Sequence, residues 1–376
     1  MAASARNQSH RVLQMLIDVL LDDDAPSIAD RDWSDVLALA RATGLSGRLA
    51  SRLDASTDQL PAQVCSYLTG ARRVAAKHCR TLGWEIERVV AALAPLDVPV
   101  VLLKGAAYLA RGLPPSVGRF ASDIDIMVPE PAIASVEAAL FEAGWEAMQP
   151  DPYDQRYFRD WMHEIPPLRH VLRNTVLDVH HTILPPTSRF ARHLDPQLLF
   201  EAATPVYQRG VATLCPSDMV LHSAVHRFSE GEHPRALRDL IDVQELLRHF
   251  AAEDPEFWST LTDRAERLGL ERPLYYALRY CHTLLGTAVP DDVTSRMERH
   301  APVAPVRIVM DLIVPRTFLA AAPTFATRLS SWLLYVRGHY LRMPLRLLLP
   351  HLVRKWWTRQ QRDAQDAVDG ATDPPH

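Results

Sequence analysis

Apolar residues in the first third of the chain recur at the spacing of one helix face. Trp33, Val36, Leu37 and Ala40 fall at i, i+3, i+4 and i+7, the period of a helix that buries a single stripe. That period predicts helices over 11–21 and 33–43 and a pair of long helices across 60–93, with Gly44, Gly47, Gly70 and Gly83 at candidate boundaries. At Pro95 the pattern changes. The β-branched run 98–103 reads as a short buried strand, then a tight turn at Gly105, a helical turn over 106–111, and a second strand over 124–128. A helix over 131–143 has Pro131 in its first turn and Gly144 just past its end. Segments 168–172 and 175–183 form the arms of an antiparallel hairpin turned at Arg173-Asn174. Beyond residue 194 the period is helical again, over 217–228 with Ser217 as N-cap, 234–250, 256–268, 272–285 and 303–313.

This order predicts an α+β, mostly helical chain with a small mixed β-sheet flanked by N- and C-terminal helical regions. The expected divisions are a helical region at 1–94, an α/β core at 95–194, a helical domain at 195–327, basic aromatic amphipathic helices at 328–362 and a disordered polar tail at 363–376. The chain's 376 residues leave ample room for a core. The apolar run 12–21 contains Asp18 and leads into Asp22-Asp23-Asp24, so it reads as an amphipathic helix and not as a signal peptide. No apolar stretch approaches the roughly 20 residues needed to span a bilayer. Four cysteines without CxxC spacing suggest neither a zinc knuckle nor a disulfide framework. A cytoplasmic protein is the expectation.

Within the mixed region, Asp123 and Asp125 stand two apart on a strand, so both carboxylates share one face while Ile124 and Ile126 point to the core. Like charges at that separation repel, and a cation between them is the ordinary remedy; hard oxygen ligands suit Mg2+ or Mn2+. Asp178, on the second hairpin arm, supplies a third carboxylate on another strand, with His180 on the same face. Three carboxylates on neighbouring strands suit phosphoryl or nucleotidyl transfer: two hold the metal that bridges a triphosphate, and the third completes a metal site or takes the proton of an attacking hydroxyl. His180 reads either as part of this site or as a satisfied sheet histidine. His222 and His226 stand four apart on one helix face without the Glu of the zinc-protease motif, which favours a structural or supporting role. Segment 151–164, with Tyr153, Tyr157, Phe158 and Trp161, reads either as an acceptor-binding lid or as an irregular packed loop.

Leu103-Lys-Gly-Ala106, Arg119-Phe-Ala-Ser-Asp-Ile-Asp-Ile126 and Leu177-Asp-Val-His180 resemble the signature of the uncharacterised nucleotidyltransferase family within the DNA polymerase β-like superfamily. The resemblance extends through Pro216-Ser-Asp-Met-Val-Leu-His222 with His226, and Leu237-Arg-Asp-Leu-Ile-Asp242, and so covers roughly 95–250. It implies a sheet of nucleotidyltransferase type, a divalent metal and an NTP donor such as ATP. By position, Asp123, Asp125 and Asp178 match the catalytic, metal-binding carboxylates. Gly105 matches the phosphate-side glycine and Lys104 and Arg119 the basic positions beside it; with Ala106 and Ser122 these form the expected nucleotide- and phosphate-binding set. Asp242 is favoured as a position facing the sheet, against capping or pairing with Arg235 and Arg238. One departure is that Gly105 is followed by Ala106, where the wider superfamily carries Gly-Gly or Gly-Ser and a shorter spacer.

The net charge of −4 hides a C-terminal stretch, 328–362, with eight basic residues, no acid, and Trp332, Trp356 and Trp357 among leucines. It reads as a helical pair packed on the acidic remainder, as a peripheral contact with an anionic membrane at the inner surface, or as a contact with RNA or an acidic partner. The leading expectation is a Mg2+-dependent nucleotidyltransferase that moves a nucleoside monophosphate, AMP on base rates, onto a hydroxyl of a small molecule, a peptide or protein, or RNA. A non-catalytic adaptor of the same fold and a toxin-like enzyme acting on tRNA are the rivals.

Overall fold

A computed structural model describes residues 2–22, 28–54, 60–120, 123–148, 151–206, 210–229, 235–319 and 324–344, with 346 and 348. Four helices come first: α1 (Ala2–Leu21), α2 (Trp33–Ala42), α3 (Ser46–Arg52) and α4 (Ala62–Leu93). The expected pair across 60–93 is one 32-residue helix, with Gly70 and Gly83 in its interior. An interior glycine costs only about 1 kcal/mol. The stripe Val64, Leu68, Leu82, Ile86, Val89 and Leu93 is buried along the same helix and outweighs that cost.

The chain then builds β1 (Val100–Leu103), α5 (Lys104–Ala110), β2 (Asp123–Met127), α6 (Ile133–Glu142), β3 (Trp145–Ala147), α7 (Pro152–Trp161), β4 (Leu168–His170) and β5 (Val176–His180). After α8 (Gln197–Glu201), two short strands, β6 (Thr204–Pro205) and β7 (Val211–Thr213), return to the same sheet. The seven strands lie in the order β3-β4-β5-β2-β1-β7-β6. β1 is antiparallel to β2 and parallel to β7, and β2 is parallel to β5. The two central strands, β1 and β2, therefore carry the site, and both are buried along almost their whole length. The β4–β5 turn falls at Arg173-Asn174 as expected, with Asn174 in the left-handed region that asparagine tolerates. It is tied to α4, where buried Glu85 accepts from Arg173 Nε and Thr175 Oγ1, each at 2.8 Å.

Two local expectations change. Residues 152–161 are helical: Asp151 Oδ1 accepts from the Tyr153 N–H at 2.8 Å and proline occupies the first helical position. Tyr157 and Trp161, four apart, pack edge to face. The next helix, α9 (Pro216–Ser229), opens on Pro216, so Ser217 lies inside it and is no N-cap. Five further helices follow: α10 (Ala236–Glu253), α11 (Phe257–Leu268), α12 (Glu271–Leu285), α13 (Asp291–Glu298) and α14 (Ala304–Ile313). The helical pattern at 328–342 is realised in α15 (Phe325–Arg342), whose start is closed by a Thr324–Thr327 capping box. Most of 345–362 and all of 363–376, with the remaining basic aromatic residues and the expected tail, lie outside the described residues.

Candidate active site

β2 alternates as the sequence implied: Ile124 and Ile126 are fully buried on one face, while Asp123 and Asp125 share the other. The parallel register with β5 sets Asp125 opposite Asp178, Asp123 opposite Val176 and Met127 opposite His180. Paired residues of adjacent strands present their side chains to one face, so the Asp178 carboxyl stands beside that of Asp125. The three carboxylates are thus gathered at the head of two neighbouring strands. Asp123 is exposed at the rim and Asp125 is only 5% exposed.

The charges around the two inner carboxylates differ. Lys104 Nζ is 3.0 Å from Asp125 Oδ1, and His180 Nε2 lies 3.2 Å from the same oxygen. Burial alone would raise the Asp125 carboxyl, but Lys104 and His180 outweigh it and hold Asp125 well below the usual carboxylate range. Asp178 feels only the weaker pull of His180. Burial, then the charges of Asp125 and Glu164, push it up to about 8, and its buried Oδ1 meets no hydrogen-bond donor among the described residues. A buried carboxyl held protonated beside an ionised one lacks positive charge, and a divalent cation ligated by oxygen fits that lack.

Lys104 is also where the chain turns. It follows β1 directly with φ +44, so the left-handed residue expected at Gly105 is the lysine, and Gly105 lies inside α5. Such a conformation is costly for a residue with a side chain. Here the ammonium is anchored on Asp125. Ala106, where the wider superfamily has glycine or serine, is buried. Ser122 lies outside the described residues.

A cleft of about 630 Å³, its open mouth included, lies over Asp123 and Asp125. Its lining includes Lys104 and Gly105, Arg119, His226 of α9, Arg235 just before α10, and Arg238, Asp239 and Asp242 of α10. Arg238 pairs with Asp239 at 2.9 Å. Arg235 and Arg238 read in the sequence only as salt-bridge partners, yet both line the same cleft as Asp123 and Asp125. His222 of α9 is buried; burial and the positive charges of Lys104 and His180 hold its imidazole well below its ordinary pKa, hence neutral. Tyr108 of α5 and Ser223 of α9 share a 2.7 Å hydrogen bond that ties these two helices at the cleft.

Asp242 and Arg119 meet each other. The Asp242 carboxylate takes Arg48 Nη2 on one oxygen at 2.8 Å and Arg119 Nη1 on the other. Burial would raise Asp242; Arg119 and then Arg48 reverse that and hold it below its usual range. Arg48 also donates to the Pro115 carbonyl at 2.9 Å. The loop that delivers β2 is therefore locked between α3 and α10. Beside it the backbones of Gly47 and Gly118 meet: a Cβ built on Gly47 would stand 2.3 Å from the Gly118 carbonyl oxygen. Gly118 has φ +65 and accepts no Cβ there either. Arg48 and Gly47 carried no chemistry in the sequence, where the first 94 residues read as a packed cap. Their partners lie far along the chain, so no local pattern discloses them.

His163 and Glu164 were also missed. Residues 163–165 continue the ladder along β5, with Ile165 N–H donating to the Val179 carbonyl at 3.0 Å and His181 N–H to that of His163 at 2.9 Å. Glu164 Oε2 lies 3.4 Å from His180 Nδ1. His180 accordingly touches carboxylates through both ring nitrogens. Burial lowers its pKa, but the Asp125 hydrogen bond and Glu164 more than reverse that and raise it.

The mixed sheet thus carries paired aspartates at a cleft lined by several arginines. The family model described as uncharacterised nucleotidyltransferase matches residues 29–286, more than half of the chain, and the chain belongs to that family. The match begins well before the 95–250 read from the motifs, and it takes in α3 and α4 together with Gly47 and Arg48. No curated protein and no solved structure matches the chain. Among the described residues, no helix is long and apolar enough to cross a membrane.

Proposed function

We propose that this protein transfers a nucleoside monophosphate from an NTP, with ATP the first donor to test, to a hydroxyl of an acceptor molecule. The observation that carries this reading is the in-register pair Asp125–Asp178 with Asp123 at the head of the same strand, at a cleft that Lys104, Arg119, Arg235 and Arg238 also line. Asp123, Asp125 and Asp178 would hold Mg2+ or Mn2+. A divalent cation there supplies neutralising charge for the triphosphate and for the leaving pyrophosphate.

The chain's own groups divide the remaining work. Lys104, already at Asp125, adds a fixed positive charge at the strand end, and Arg235 and Arg238 line the same cleft, which suits the binding of a triphosphate there. Arg119, paired with Asp242, positions the loop that leads into Asp123. Asp178, whose carboxyl burial pushes up to about 8, is the group suited to take the acceptor's proton, and ligation would draw it to the ionised form. The acceptor is a small molecule, a peptide or protein side chain, or an RNA end.

The test is incubation of the protein with each α-labelled NTP, Mg2+ or Mn2+, and extract fractions of small molecules, protein and RNA. Transfer of label to one fraction, lost in Asp125→Asn, is the expected result. Label transfer that persists in Asp125→Asn, or no transfer with any NTP by wild type, would refute it.

A further inference from the structure

We propose that His163, Glu164 and His180 form a second cation site, suited to a zinc-class transition metal, beside the three aspartates. Each of the three offers a ligand atom, and the three atoms lie within 4.8 Å of one another. Two imidazoles and a carboxylate are a donor set that zinc takes and that Mg2+ does not favour. Both histidines are buried, with ring centroids 5.1 Å apart, and Glu164 is half-buried. His180 is 2% exposed, and among the described residues its Nδ1 makes no hydrogen bond; it lies 3.4 Å from Glu164 Oε2. Backbone hydrogen bonds at His163 and Ile165 and the bridge of Glu164 with His180 tie this segment to the edge of β5.

The placement has a chemical consequence. A neutral imidazole has one protonated nitrogen, and a metal on Nδ1 leaves the proton on Nε2. That proton points at Asp125 Oδ1, 3.2 Å away. The bound metal would thus fix His180 as a donor to Asp125 and orient this carboxylate toward the cleft. His180 is by this account a positioning residue, and the second metal acts on the site through it. The inference builds on the position of Asp125, but the metal can be measured without any nucleotide.

The full chain, stripped with a chelator, is titrated with Zn2+ in excess Mg2+, and bound zinc is counted by mass spectrometry after gel filtration. One zinc per chain is expected in wild type and in Asp123→Asn. In His163→Asn and Glu164→Gln the affinity should fall by about tenfold or more. Equal zinc affinity in wild type and both cluster variants would overturn the proposal, and so would loss of zinc in Asp123→Asn. Histidine 15N spectra of wild type provide a readout that needs no variant. Zinc should move the Nδ1 resonance of His180 and sharpen an Nε2–H signal; an unchanged His180 spectrum overturns the assignment. A failed labelling assay with intact zinc binding would count against the transferase reading alone.

Discussion

The contact of Gly47 with Gly118 gives the most discriminating perturbation, because it lies outside the cleft. In Gly47→Ala the new methyl would start 2.3 Å from the Gly118 carbonyl oxygen and 2.8 Å from the Ala75 Cβ. Ordinary contact requires α3 and the loop to part by about 1 Å. Overpacking of this kind costs about 1–3 kcal/mol, and alanine's better helix propensity returns up to about 1 kcal/mol of it. For a chain of this length the remainder lowers Tm by only about 1–3 °C. The functional effect is expected to be larger. Gly118 precedes Arg119, and a 1 Å displacement of aligned groups costs on the order of 100-fold in turnover. Affinity for a non-hydrolysable NTP analogue, measured by calorimetry, should fall about tenfold. Gly70→Ala is the control, since nothing lies within 4 Å of a Cβ there; it should raise Tm by about 1 °C and leave affinity alone. Unaltered affinity and Tm in Gly47→Ala would refute the reasoning, as would an equal loss of affinity in Gly70→Ala.

Three other outcomes are expected. Asp242→Asn leaves Arg48 and Arg119 buried without their shared anion and should cost about 3–5 kcal/mol at pH 7. Because the Asp242 pKa is depressed in the fold, its contribution is complete above the unfolded value near 4 and is lost as pH falls, so urea midpoints of wild type and variant should converge toward pH 3. Glu245 has the opposite sign. Burial pushes it up to about 7 against the pull of Arg48, so its favourable protonated state is lost as pH rises from about 4.5 through 7. Glu245→Gln should therefore raise Tm at pH 8 and have little effect at pH 4.5, and the reverse order would disprove it. Arg235→Ala and Arg238→Ala should each raise the KM for NTP several-fold while leaving Mg2+ affinity near wild type. An effect on the metal instead would place these arginines outside the triphosphate site.

How far the sequence could be read depended on distance along the chain. Strand alternation alone grouped Asp123 with Asp125, and the hairpin turn at Asn174 followed from local chemistry. Asp178 could be named as a third carboxylate, but its register opposite Asp125 depends on a parallel pairing that no local pattern encodes. β6 and β7 were not legible, being two and three residues long and without alternation to detect. Gly70 and Gly83 were read as stops because composition does not report the stripe that α4 buries. Arg48 and Asp242 are 194 positions apart, so their pairing exists only in the assembled fold. Asp151-Pro152 did hold a legible signal, a helix start, within a segment whose aromatic content drew attention to binding instead.

The Asp242 carboxylate has a bearing on which pieces of this protein can be exchanged. It answers one arginine from α3 and one from the loop before β2, and it is itself supplied by α10. A fragment ending near residue 194 would contain Asp123, Asp125 and Asp178 yet would expose Arg119 without its counter-ion and lack β7 beside β1. Shuffling between relatives should therefore succeed when the crossover points fall outside 46–253, and should fail when parents contribute α3 and α10 separately with mismatched charges at these three positions.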